Sequence, residues 1–177
     1  MSLTNPESAD HIAQEAGSFE PQRQNNFSFE ASLGAADKDL IVLALHGLTL
    51  PNESNEEMEI PYQNEKVYVA GGATFEGLTL TVKDFVDQDV RGALLRWRAL
   101  VYDPVTGKVG KAKDYKKKAS IIMAGPDGDD VRVCQLKGTW PQALNGGTLD
   151  HSAQGEQVLI EVTLRFDKPL WNLPGLT

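Results

Sequence analysis

The chain has 177 residues, 41% of them hydrophobic and 24% charged, with a formal net charge of −8 at pH 7. That length suits one domain with a core large enough to stand without cross-links. The acid excess argues against a protein that grips nucleic acid through a net positive face. The single cysteine, Cys134, excludes an internal disulfide and a cysteine-rich zinc site.

Residues 1–18 are polar and without periodicity, and we read them as a flexible arm ahead of one domain over 19–177. The arm has neither the basic start nor the apolar stretch of a secretory signal. No window approaches the run of about 20 apolar residues that spans a membrane. With one thiol, a reducing compartment is the simplest expectation.

Strands follow. Phe27, Phe29, Ala31 and Leu33 alternate with Ser28, Glu30 and Ser32, the period of a half-buried strand. Residues 40–45, LIVLAL, are apolar throughout and predict a strand covered on both faces. Residues 51–65, PNESNEEMEIPYQNE, read as a long acidic loop, a feature that is often functional. Val67–Val69 resumes a strand before Gly71-Gly72, which permits a bend or a close backbone approach. Leu78, Leu80 and Val82 alternate with Thr79, Thr81 and Lys83.

A helix is predicted over 88–102. Val90, Leu94, Trp97 and Val101 fall at steps of four, three and four, and Ala93 and Leu100 widen the stripe. Asp87 is the expected cap, Asp89 suits the first turn, and Asp103-Pro104 ends the helix. Gly92 costs about 1 kcal/mol there relative to alanine.

Residues 103–110 form a turn. Residues 115–123 read as a strand, with PDGDD (126–130) as a hairpin turn centred on Asp-Gly and 131–139 as the returning partner, stopped at Trp140-Pro141. The cleanest alternation is the last: Val158, Ile160, Val162, Leu164 and Phe166 against Leu159, Glu161, Thr163 and Arg165. The sum is a mainly β fold of about seven strands, an antiparallel sandwich or barrel with one flanking α-helix.

No catalytic set emerges. His11, His46 and His151 have no ligand spacing, Cys134 lies inside a strand with no nominated base, and GPDGDD lacks the spaced ligands of a calcium loop. We therefore expect no enzyme, no cofactor and no metal. Lys108, Lys111, Lys113, Lys116, Lys117 and Lys118 form a basic cluster with only Tyr115 as an aromatic, a poor platform for nucleic acid. It suits the acidic residues Glu53, Glu56 and Glu57 of another copy, with a solvated basic turn as the plain alternative.

Taken in order, several stretches resemble the major tail tube proteins of contractile-tailed bacteriophages. FEPQRQNNFSFEASL (19–33) resembles the family's opening, VAGGATFEGLTLTVKDF (69–85) the glycine-containing turn and strand, and ALLRWRALVYD (93–103) its helix with a central tryptophan, Trp97. DYKKKASIIMAGPDGDDVRVCQLKGTWPQAL (114–144) resembles its hairpin with a Gly-x-Trp-Pro ending, and 149–171 the closing strand. The long polar arm before Phe19 and the extended acidic loop after Leu50 depart from the pattern. The resemblance implies hexameric rings stacked into a tube inside a contractile sheath. DNA would pass through the bore without specific binding, and tail sheath, tape measure and baseplate proteins would be partners. It implies a virion component assembled in the host cytoplasm. Glu30 and Glu161 are then candidates for acidic bore residues, and Trp140 with Pro141 for an internal corner. A type VI secretion-like or bacteriocin-like tube, or a monomeric β-sandwich module for carbohydrate or peptide, are the competing readings.

Overall fold

The computed structural model describes residues 22–153 and 155–172. The arm expected over 1–18 lies outside the described residues.

The molecule is built around a seven-stranded antiparallel sheet that bends over its own core. Its path runs β1 (Phe27–Ala31), β8 (Lys117–Ala124), β9 (Asp130–Asn145), β10 (Leu159–Arg165), β5 (Leu78–Lys83), β2 (Leu45–Leu48), with β11 (Lys168–Trp171) also on β9. The alternating residues explain the bend. Phe29 and Ala31 from β1, Ile121 from β8, and Cys134 and Leu136 from β9 point inward from one side. Leu78, Leu80 and Val82 from β5 and Ile160, Val162 and Leu164 from β10 meet them from the other, all at most 3% exposed. A period of two thus puts every apolar set into one shared interior.

β9 is the strand that turns the corner. Residues 130–139 pair with β8, and residues 134–137 also with β11; from Trp140 onward it pairs with β10. The expected stop at Trp140-Pro141 is therefore overturned: the strand runs on to Asn145. Pro141 sits opposite Leu164, next to the register shift between Thr163 and Leu164, where a missing N–H costs no ladder bond. Gly138, at φ 68°, bends the chain just before it, and a Cβ there would overlap the Asp167 carboxylate.

The predicted amphipathic helix is present as α2 (Val90–Val101), burying Val90, Ala93, Leu94 and Trp97. Its cap is Asp89, whose carboxylate accepts from Gly92 N at 2.9 Å, and not Asp87. A second helix, α1 (Ala35–Ala44), overturns the strand expected over 40–45. Alanines 35 and 36 lead into it, Asp37 favours its first turn, and Ile41 and Ala44 are buried one turn apart while Leu43 is 76% exposed. A short apolar run does not separate buried strand from helix by itself. α1 joins the two terminal strands of the sheet, β1 and β2, and touches α2. A single-turn helix, α3 (Ala112–Tyr115), precedes β8 in place of the strand start predicted at Tyr115. A two-residue ladder, β6 (Tyr102–Asp103) with β7 (Lys108–Val109), closes the 103–110 turn.

The long acidic loop is also overturned. Residues 53–62 form β3 (Glu53–Tyr62), paired antiparallel with β4 (Glu65–Phe75) in a two-stranded sheet of its own. Gln63, at φ 55°, supplies the tight turn, and a Cβ at Gly71 would lie 2.9 Å from the Glu56 carbonyl oxygen, so only glycine admits that approach.

Candidate assembly surfaces

The β3–β4 hairpin carries the most unusual surface. Residues 53–70 are all exposed, so both of its faces meet solvent. Its register sorts them into two chemistries. Met58 lies opposite Val69 and Ile60 opposite Val67, and Tyr62 continues that side, giving an apolar face. Glu57 opposite Ala70, Glu59 opposite Tyr68 and Pro61 opposite Lys66 form the other, where Lys66 pairs with Glu59 at 2.8 Å. A lone two-stranded ribbon is marginal in water. This one exposes Met58 at 54%, Tyr62 at 68% and Val67 at 51%, an apolar surface of the kind found at interaction sites.

Of the residues nominated as interface, Glu53, Glu56 and Glu57 stand on this hairpin. Lys111 and Lys113 flank and occupy α3, while Lys116, Lys117 and Lys118 lead into β8. The two groups form no ion pair with each other within the chain among the described residues. Lys116 is already committed to Asp167, at 2.6 and 2.9 Å. Sequence reasoning placed the acids on a loop because it weighed the glutamates. The Met58-Ile60-Tyr62 alternation was the signal for a strand.

Glu30 and Glu161 end up on different surfaces. Glu30, on β1, is held by Lys38 of α1 at 2.9 Å and borders a groove lined with lysines. Glu161, on β10, is exposed and has no ion pair among the described residues; it lies opposite Thr81 and Asn145, in a field that includes Thr79 and Thr163.

The three structural residues form one joint. Trp97, 1% exposed on α2, donates its Nε1–H to the Tyr115 carbonyl at 3.1 Å. The Tyr115 ring meets Trp140 edge-on at 5.8 Å, and Pro141 is buried beside it. The tryptophan at the corner thus docks helix to sheet inside the subunit.

Helix α2 is fixed by further charge contacts. Arg96 reaches Asp37 of α1 at 2.6 Å and Asp89 at 2.8 Å, and Arg91 grips Asp84 at 2.7 Å and the Gly146 carbonyl at 3.0 Å. Cys134 is fully buried, and burial, with Glu53 adding to it, pushes its thiol pKa up to about 11. It is an inert packing residue at neutral pH. Among the described residues no cluster of three or more His, Cys, Asp or Glu is placed to hold a metal ion. No helix there is long and apolar enough to cross a membrane. His46 and His151 are both exposed and apart; His11 lies outside the described residues.

No family model matches the chain. It is 31% identical over 122 residues to the tail tube protein gp19 of Enterobacteria phage T4, covering 67% of this chain and 74% of the relative. It is 30% identical over the same length to the gp19 of Enterobacteria phage T6, with the same coverage. Among solved structures, a chain of the terminating cap of the anti-feeding prophage tube superposes with a TM-score of 0.71 at 14% identity, over 98% of this chain and 100% of that one. A chain of the sheath–tube complex of an extracellular contractile injection system, PVC, gives 0.68 at 16% identity, over 93% and 97%.

Proposed function

The chain belongs to the tail tube proteins of contractile-tailed bacteriophages, and from that premise we propose that its copies close into hexameric rings that stack as a hollow conduit for DNA. The fold is a tail tube fold, and the role is structural. The observation that supports self-assembly is the hairpin: an amphipathic two-stranded ribbon, exposed on both faces, attached to a subunit whose terminal strands β1 and β2 have no further strand beside them among the described residues. Both features are liabilities for a solitary particle and are removed when copies join head to tail.

In this reading the hairpin reaches a neighbouring ring and buries Met58, Ile60, Tyr62, Val67 and Val69 there. The wall facing the bore is the outer surface of β5, β10 and the second half of β9, where Thr79, Thr81, Thr163 and Glu161 predominate and Lys83 and Arg165 are the cations of β5 and β10, too few to grip phosphate. Glu30 contributes little to bore charge, since Lys38 neutralises it. Six copies at −8 each carry about −48 in all, which keeps DNA from adhering. Sheath, tape measure and baseplate proteins are the partners, and the virion, assembled in host cytoplasm, is the location. The subunit has no catalytic role. The injection-system likenesses carry the fold alone, whereas the 31% identity lies with a phage protein, which favours a phage tube over a secretion or bacteriocin tube.

Electron microscopy of the concentrated full-length protein tests the proposal. Six-fold rings or tubes are expected, with Glu161 on the bore wall once reconstructed. Discrete monomers at every concentration, with a tail-initiating complex supplied, would sink the tube; Glu161 on the outer wall would sink the bore assignment.

A further inference from the structure

On the outward surface of β8, β9 and β11, three lysines stand side by side without counter-charge among the described residues. Lys137 and Lys168 are direct partners across the β9–β11 ladder. Lys118, from β8, joins Lys137 and Lys38 in lining a groove of about 520 Å³ that also includes Glu30, Ser120 and Gln135. Like charges opposed on neighbouring strands destabilise a sheet. The nearby carboxylates do not relieve them, because Glu30 is taken by Lys38 at 2.9 Å and Asp167 by Lys116 at 2.6 Å. Lys118, Lys137 and Lys168 have no ion pair among the described residues, in a chain with 25 acidic residues against 17 basic ones. A free subunit gains nothing from that arrangement; an acidic partner would.

We propose that this lysine row receives the acidic side of the β3–β4 hairpin from a second copy of the chain. The inference rests on the tube reading, since it requires copies that meet. Charge complementarity selects the occupant. Glu53, Glu57 and Glu59 alternate onto the side of β3 opposite Met58 and Ile60, and only Glu59 has a partner there, Lys66. The spacing also fits. Glu57 and Glu59 are two residues apart on one strand, about 7 Å, and lysines on three adjacent strands span about 10 Å, so a ribbon crossing the sheet brings carboxylates within reach of the row. The receiver is thus the outward surface of β8, β9 and β11, and not α3 with Lys111 and Lys113.

Zero-length carbodiimide cross-linking of the assembled wild-type protein, mapped by mass spectrometry, tests this. Bonds from Lys118, Lys137 or Lys168 to Glu53 or Glu57 are expected on assembly and absent from the free subunit. The K137E/K168E variant should lose roughly tenfold or more in polymer yield, the scale of like-charge juxtaposition at an interface. Its free subunit should melt close to wild type, because one opposed like-charge pair replaces another. Adding E53K/E57K should restore assembly. Cross-links confined to Lys111 and Lys113, or wild-type polymer yield from K137E/K168E, would overturn the inference while leaving the tube intact. So would duplex DNA retained by wild-type tubes and released by the variant, which would make the row a phosphate contact. A wild-type chain that never polymerises brings down the tube reading, and this inference with it.

Discussion

Gly92 is a poor helix former in the first turn of α2, yet a Cβ at that position would overlap the Asp89 carboxylate that caps the same turn. Two effects oppose each other. Alanine gains about 1 kcal/mol of helix propensity over glycine, but it displaces the cap that holds the Gly92 N–H. The expected outcome is that Gly92→Ala raises the melting temperature little or not at all in the native background. In an Asp89→Ala background, where no carboxylate is in the way, the same change should stabilise by about 1 kcal/mol. Equal gains in the two backgrounds, measured by chemical denaturation, would refute the cap conflict. The cap also sets a pH dependence. The Arg96 guanidinium and then the Gly92 N–H hold the Asp89 carboxyl below its ordinary value. A depressed folded pKa gives stability that is present above the unfolded value and lost as pH falls through the folded one. Hydrogen-exchange protection of the first turn of α2 should therefore weaken below about pH 4 in the native chain and not in Asp89→Ala.

At the scale of elements, the hairpin separates folding from assembly. Met58, Ile60 and Val67 touch solvent in the subunit, so replacing Ile60 and Val67 by serine removes little that the subunit buries. Surface changes of this kind shift stability by roughly 0.5 kcal/mol or less each. The double variant should keep its melting temperature within about 3 °C and lose polymer in a sedimentation assay, because the lost apolar contact exists only between copies. Polymer at the native level would show that the ribbon's apolar side is not buried. What could be read from sequence tracks how local the signal was. The inward sets of β5 and β10 were plain because one face of each strand is buried and the other wet. α2 was plain because its stripe is long. α1 was missed because LIVLAL is too short to show a helical period, and one of the elements it packs on, α2, is remote in sequence. The run of β9 through Pro141 was missed because the proline sits beside a bulge at Gln142, and that bulge exists only in the pairing of β9 with β10. The lysine row was invisible for the same reason: Lys118, Lys137 and Lys168 are scattered in sequence and gathered only by the register of three strands.

For the whole molecule, net charge and local charge pull in opposite directions, and salt decides between them. Two copies of charge −8 at centres roughly 30 Å apart repel by something on the order of 9 kcal/mol in unscreened water. At about 0.01 M salt the screening length equals that separation and a few kcal/mol survive; at about 0.1 M, with a length near 10 Å, less than about 1 kcal/mol remains. Contact pairs between the hairpin acids and the lysine row act at a few ångströms and are little affected over that range. Each exposed pair contributes about 0.2–1 kcal/mol, so together they cannot overcome the repulsion at the lowest salt but outweigh it at 0.1 M. At about 1 M the screening length falls to about 3 Å and the pairs weaken too, leaving the apolar side of the hairpin to hold the contact. The critical concentration for polymerisation should therefore pass through a minimum near physiological ionic strength, measured by light scattering across this range. In K137E/K168E the rise at high salt should vanish, because the pairs that salt weakens are gone. A critical concentration that climbs steadily from the lowest salt would mean that attraction between opposite charges, not repulsion between acidic subunits, governs the approach of copies, and the charge argument for the whole particle would fail.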